Sequence, residues 1–173
     1  MEFKPGLVIR YDFLWKHEAD RGQDSGKDRP CAVVLMSKLL SDGTRRVAVA
    51  PITHTPPKGV SNSVEIPHKA ARHLRLDDER MWVRTDNLNY FSLKPNQIPI
   101  GVSKTRDGRE SYGMLPQQLG KQVFSQLVEN DRARKTERVK RDDDAFIKSV
   151  SAQRERFKDR PVTTPTNDKD RLK

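Results

Sequence analysis

The longest unbroken apolar run in the chain is Cys31–Met36, six residues. A run of that length is far below the roughly 20 residues that cross a bilayer, and it suits a strand buried on both faces. Its neighbours carry related signatures. Gly6 opens Leu7–Trp15, whose second half alternates and whose β-branched and aromatic content favours a strand. Arg46–Thr53 is another, and the Ser41-Asp42-Gly43-Thr44 connector before it carries the Asp-Gly signal of a hairpin. Lys16–Lys27 is charged, broken by Gly22 and Gly26, and has no apolar stripe to support a helix, so it reads as a long surface loop.

Beyond Thr53, His54-Thr55-Pro56-Pro57-Lys58-Gly59 forms a loop directly past a strand end, because two prolines remove ladder donors. Val64-Glu65-Ile66 resumes an extended pattern, Pro67 opens a short helix over His68–Leu74, and Met81–Thr85 is a further strand. Short extended pieces are expected at Gln97–Val102 and Tyr112–Leu115. Over Pro116–Asn130, Leu119, Val123 and Leu127 recur every four residues, joined by Phe124 and Val128, which predicts an amphipathic helix packed on the sheet. Strands first and a helix last indicate an α+β chain built on a small curled sheet or barrel rather than a parallel βαβ sheet.

Charge divides the chain. Of its 173 residues, the first 129 hold 48 apolar and 35 charged residues, and the last 44 hold 10 and 23. The core therefore belongs to a domain over 1–130. The remainder, 131–173, is expected to be a charged helical or disordered tail with too little apolar surface to offset ordering entropy. Cys31 is the only cysteine, which excludes an internal disulfide and a multi-cysteine zinc site. No cluster has metal-ligand spacing, so neither metal nor cofactor is expected. The N-terminus lacks the apolar core of a secretory signal, and a cytoplasmic setting is expected. The net charge of +10 favours anionic partners, either nucleic acid or acidic protein.

Three motifs occur in a telling order: Gly6-Leu7-Val8-Ile9 in the first strand, Asp28-Arg29-Pro30-Cys31-Ala32-Val33-Val34-Leu35 in the second, and Ala50-Pro51-Ile52-Thr53 ending the third. With Arg84-Thr85-Asp86-Asn87 and the late helix, residues 5 to 130 resemble the PemK/MazF family of toxin ribonucleases. The resemblance implies an SH3-like small β-barrel, a homodimer, metal-independent cleavage of single-stranded RNA and a small antitoxin partner. The compact Gly-x-Glu-Gln-x-Gly connector usual before Arg-Pro is replaced here by the longer His17–Lys27, and Asn87 stands where Gln is more usual.

Cleavage of RNA by its own 2′-hydroxyl needs a base, an acid and donors for the phosphorane oxygens. Arg29, where a loop enters a buried strand, offers a planar fork of donors to a phosphate. Thr53, at a strand end, offers a hydroxyl without competing with the ladder. Arg84 and Asp86 are two apart, so on an extended chain they share a face; the resemblance implies catalytic roles for this pair. The very high pKa of arginine favours charge stabilisation for Arg84. His17 and His54 are candidate RNA contacts, and His54 could exchange protons near neutral pH. Trp15 and Tyr90 are candidates to stack on unpaired bases. Two other functions fit the same fold: a non-catalytic toxin that binds DNA gyrase, and a basic RNA-binding regulator.

Overall fold

A computed structural model describes residues 1–59 and 62–141. Its strands are β1 (Leu7–Phe13), β2 (Lys27–Met36), β3 (Arg45–Thr53), β4 (Ser63–Glu65), β5 (Trp82–Arg84), β6 (Asn87–Leu93), β7 (Val102–Ser103), β8 (Gly113–Met114) and β9 (Glu137–Lys140). The helices are α1 (Lys16–Asp20), α2 (His68–His73) and α3 (Gln117–Arg132). The fold is mainly β, in the α+β class. Its strands form one sheet in the order β4-β5-β3-β2-β1-β7, with β6 beside β3, β8 beside β1 and β9 beside β6. Every pairing among the described residues is antiparallel except β6 with β9. No described helix is long and apolar enough to cross a membrane.

The hairpin between β2 and β3 forms as the Asp-Gly signal predicts: Asp42 Oδ1 accepts from the Thr44 N–H at 2.9 Å, and Gly43 adopts φ 78°. Alternation then distributes the core over both sheet faces. Val8, Ala32, Ala48, Ala50, Ile52 and Val83 pack with residues of α2 and α3. Ile9, Tyr11, Phe13, Cys31, Val33, Val47, Val49 and Phe91 form the other cluster, almost wholly from the sheet's own strands. There Tyr11 and Phe91 stack with ring centroids 5.2 Å apart. In α3, Leu119, Val123 and Leu127 are buried as their spacing predicts, but Phe124 is 49% exposed.

Four features depart from the sequence pattern. The first is the surface loop after β1, which contains α1. Glu18 Oε2 accepts from the Trp15 N–H at 3.0 Å and holds the first turn. The helix buries none of its own residues, so no apolar stripe marks it in the sequence. Second, β6 breaks the apolar pattern with Asn87 and Asn89 yet pairs with β3 over Arg45–Val49.

Third, the extended piece expected at Gln97–Val102 overlaps β7 only at Val102, and the one at Tyr112–Leu115 shortens to β8. Fourth, the fold does not end at Asn130. Glu137–Lys140 forms β9, running parallel to β6 in the register Asn87↔Glu137 to Tyr90↔Lys140. Residues 142–173 of the expected tail lie outside the described residues.

Arg141 explains why the chain past α3 is held. Its side chain is 1% exposed. Nη1 donates to Asp12 O at 2.6 Å and to Asn89 Oδ1 at 2.9 Å, and Nη2 donates to Asp24 O at 3.2 Å. The Asp12 carboxylate lies 3.6 Å away and also accepts from the Gly26 N–H at 2.7 Å. One guanidinium thus ties β1, the connector after α1 and β6 together. Gly26 has no room for a side chain, since a Cβ there would sit 1.8 Å from Phe13 O.

Burial raises the Asp12 pKa, and Arg141 opposes that rise. Arg141→Met is expected to cost about 3 kcal/mol at neutral pH, the scale for removing one partner of a buried charged group. The variant loses the opposing charge, so its Asp12 pKa rises further. A raised carboxyl pKa adds stability in the protonated form, and that stability is lost as pH rises through the folded-state value. The deficit should therefore narrow on acidification toward the ordinary carboxyl range; urea melts of both chains at several pH values check this, and a pH-independent deficit would contradict it.

Candidate active site

The sheet register brings the predicted residues toward one face. Thr53 continues the alternation that sends Val47 and Val49 of β3 away from α3. Arg29 stands in the same alternation as Cys31 and Val33 of β2. The β2–β3 register ends at Cys31↔Pro51, two residues from Arg29 on one strand and from Thr53 on the other. Arg84 follows Val83, which packs on the α3 side, so Arg84 also faces the second cluster.

Trp15 is the centre of this arrangement. It packs against the second cluster, with the Phe13 ring edge-on at 5.1 Å. The Arg29 guanidinium lies 5.3 Å from the indole centroid and the Arg84 guanidinium 5.6 Å from it. Attraction to the ring offsets part of the repulsion between two cations brought close. The approach to Trp15 is itself rigid. Asn89 Oδ1 accepts from the Leu14 N–H at 2.9 Å, and Asn89 Nδ2 donates to Leu14 O at 2.7 Å, so a side chain replaces a strand partner just before the tryptophan.

The two arginines differ in their neutralisation. Arg84 Nε donates to Asp86 Oδ1 and Nη2 to Asp86 Oδ2, both at 2.9 Å, with the two side chains about one-fifth exposed. Arg29 forms no salt bridge with any described residue, and its buried Nε finds no acceptor among them. Among the described residues the site therefore carries an uncompensated positive charge beside a compensated one.

The β5–β6 segment holds Arg84 and Asp86 through a local irregularity. Ile52 pairs with Val83 and Val49 with Asn89, so three steps along β3 match six along this segment. The excess is accommodated around Thr85. That residue is fully buried; its hydroxyl donates to Gln126 Oε1 at 2.7 Å and accepts from Asn130 Nδ2 at 2.8 Å, both on α3. The Asp86 carbonyl accepts from the Glu137 N–H at 2.7 Å, so β9 buttresses the same point.

Thr53 shares this face, and the remaining candidates lie in different surroundings. The Thr53 hydroxyl accepts from the Thr55 N–H at 3.2 Å and is half-buried. His54 is turned to the segment before β5: Nε2 lies 2.9 Å from Asp77 Oδ2 and Nδ1 3.2 Å from Arg80 O. His17 is exposed on α1. Tyr90 packs with the α3-side cluster, on the face opposite Trp15, where burial raises its phenol pKa against the lowering influence of Arg138. Cys31 is fully buried, and burial pushes its thiol pKa up, which leaves no thiolate for chemistry. No group of three or more His, Cys, Asp or Glu is placed to hold a metal ion among the described residues.

No family model, curated protein or solved structure matches this chain. The site is thus defined by its own geometry. Sequence reasoning selected Arg29, Arg84, Asp86 and Trp15, which the fold brings together, but it missed the residues that hold them: Asn89, Thr85, Asn130 and Arg141. The one available signal was a pair of asparagines within an otherwise strand-like stretch, Asn87-Leu88-Asn89-Tyr90-Phe91.

Proposed function

We propose that this chain is an endoribonuclease of the PemK/MazF type that cleaves single-stranded RNA through attack of the 2′-hydroxyl without a metal. One observation carries the reading: two guanidiniums flank one indole ring, and only one of them is neutralised by a carboxylate among the described residues. Such a pair suits a phosphate whose negative charge grows toward a phosphorane. In the reaction the 2′-oxygen forms a bond to phosphorus as its proton passes to water. The bond from phosphorus to the 5′-oxygen breaks, and that oxygen takes up a proton. The products are a 2′,3′-cyclic phosphate and a 5′-hydroxyl.

Arg29 and Arg84 would stabilise the equatorial oxygens, and the Thr53 hydroxyl would donate to the same phosphate. Trp15 has both arginines against its ring, which favours holding cations over stacking a base. The fold reading that goes with this function is an SH3-like barrel. It is supported by a second apolar cluster drawn from β1, β2, β3 and β6, as expected inside a rolled sheet. The homodimer and the antitoxin partner belong to the same proposal and rest on the motif resemblance, and a cytoplasmic setting goes with them.

Incubating the purified full chain with a mixed-sequence RNA in excess EDTA tests this reading. Fragments should appear, and single-stranded regions should be cut in preference to duplex. Absolute dependence on added magnesium or manganese would contradict it.

A further inference from the structure

We infer that Asp86 is a positioning residue that aims Arg84 at the phosphate, and is not the proton acceptor of the reaction; this rests on the ribonuclease reading above. Three of the carboxylate's roughly four acceptor positions are filled. Oδ1 accepts from Arg84 Nε at 2.9 Å and from Asn87 Nδ2 at 3.1 Å, while Oδ2 accepts from Arg84 Nη2 at 2.9 Å. A base must come within about 3 Å of the hydroxyl it deprotonates. If Asp86 took the proton of a 2′-hydroxyl at the one position left on Oδ2, the carboxylate would be neutralised and Arg84 would lose its anion.

The same fork makes Arg84 a better phosphate ligand. It uses Nε and Nη2 and leaves Nη1, which donates to nothing among the described residues, for an incoming oxygen. The Trp15 ring flanks the guanidinium, and the backbone on either side of the carboxylate is fixed by buried Thr85 and by the bond from Glu137. Three constraints hold one guanidinium, which is how a site is organised before the charge it stabilises develops.

Charge and position predict opposite signs for binding. Removing a carboxylate from beside a polyanion tightens binding if charge alone matters, whereas loss of aim weakens it. The probe is a mixed-sequence, fully 2′-O-methyl RNA, which lacks the attacking hydroxyl and reads binding without cleavage. Against it, Asp86→Ala in the full chain should bind about tenfold more weakly than wild type, and Asp86→Asn, which keeps one acceptor oxygen, by a smaller factor. With the all-ribose RNA, Asp86→Asn should keep the wild-type shape of the rate profile from about pH 5 to about pH 8.

Unchanged or tighter binding by Asp86→Asn, with cleavage reduced by about 100-fold or more, would make Asp86 the base and overturn the inference. If wild type binds the methylated RNA but leaves the all-ribose RNA intact, the ribonuclease reading fails instead, and the sign of the Asp86→Ala binding change still decides whether Asp86 positions Arg84. Circular dichroism melts confirm that each variant is folded.

Discussion

Ending the chain after Asn130 should abolish its cooperative unfolding transition, whereas a chain ended after Arg141 should keep one. The shorter chain loses all of β9, and with it the only described partner on that side of β6. It loses the Glu137 N–H that caps the Asp86 carbonyl and the burial of Val139, the latter worth about 1.5 kcal/mol. Above all it loses Arg141. Without that guanidinium, Asp12 O, Asp24 O and Asn89 Oδ1 each lose a donor, and the Asp12 carboxylate remains partly buried with no cation beside it. That loss alone is about 3 kcal/mol or more, set against a total stability of about 5–15 kcal/mol for a domain. Thermal melts of the two truncated chains distinguish the cases. If the Asn130 chain melts like the Arg141 chain, β9 and Arg141 are dispensable and the domain boundary near Asn130 stands.

Arg29→Ala should reduce RNA cleavage by about 100-fold or more, the scale for removing one donor to a developing anion. Its thermal midpoint should hardly move. The substitution removes one cation–π contact with Trp15, but it also removes a buried Nε that no described group accepts from, so the structural costs and gains oppose each other. Arg29→Lys should restore little, because a point charge cannot present a planar fork to two phosphate oxygens. Rate measurements on a fixed RNA, paired with melts of each variant, check both halves. An alanine variant that unfolds would mark Arg29 as a structural residue at the start of β2.

The readable parts of this fold were those set by local pattern. The apolar run of β2, the Asp-Gly hairpin and the four-residue spacing of α3 appear in the structure because each is fixed by neighbours in sequence. Arg84 and Asp86 meet, but across a bend at Thr85 and Asp86 past the end of β5, and not through the two-residue spacing of an extended strand. The fold illegible in sequence depends on distant partners. Asn89 looks like a strand breaker until Leu14, 75 residues earlier, supplies the backbone groups its amide satisfies. Arg141 looks like one more charge in a basic run until its buried guanidinium is seen to donate to Asp12, Asp24 and Asn89. Tyr90, an apparent neighbour of Asp86, packs on the α3 side because the excess residues between Val83 and Asn89 break the alternation along this segment.

The central claim is that the Arg29–Trp15–Arg84 site cleaves RNA through its own 2′-hydroxyl, and the chemistry of the product ends tests it most directly. Purified full chain should be incubated in EDTA with an RNA that it cuts, and with the same RNA carrying a single 2′-deoxy sugar on the 5′ side of the cut. The account predicts 2′,3′-cyclic phosphate and 5′-hydroxyl ends from the first and no cut at that position in the second. Fragments ending in a 3′-hydroxyl and a 5′-phosphate, or cleavage that survives the deoxy substitution, would contradict it.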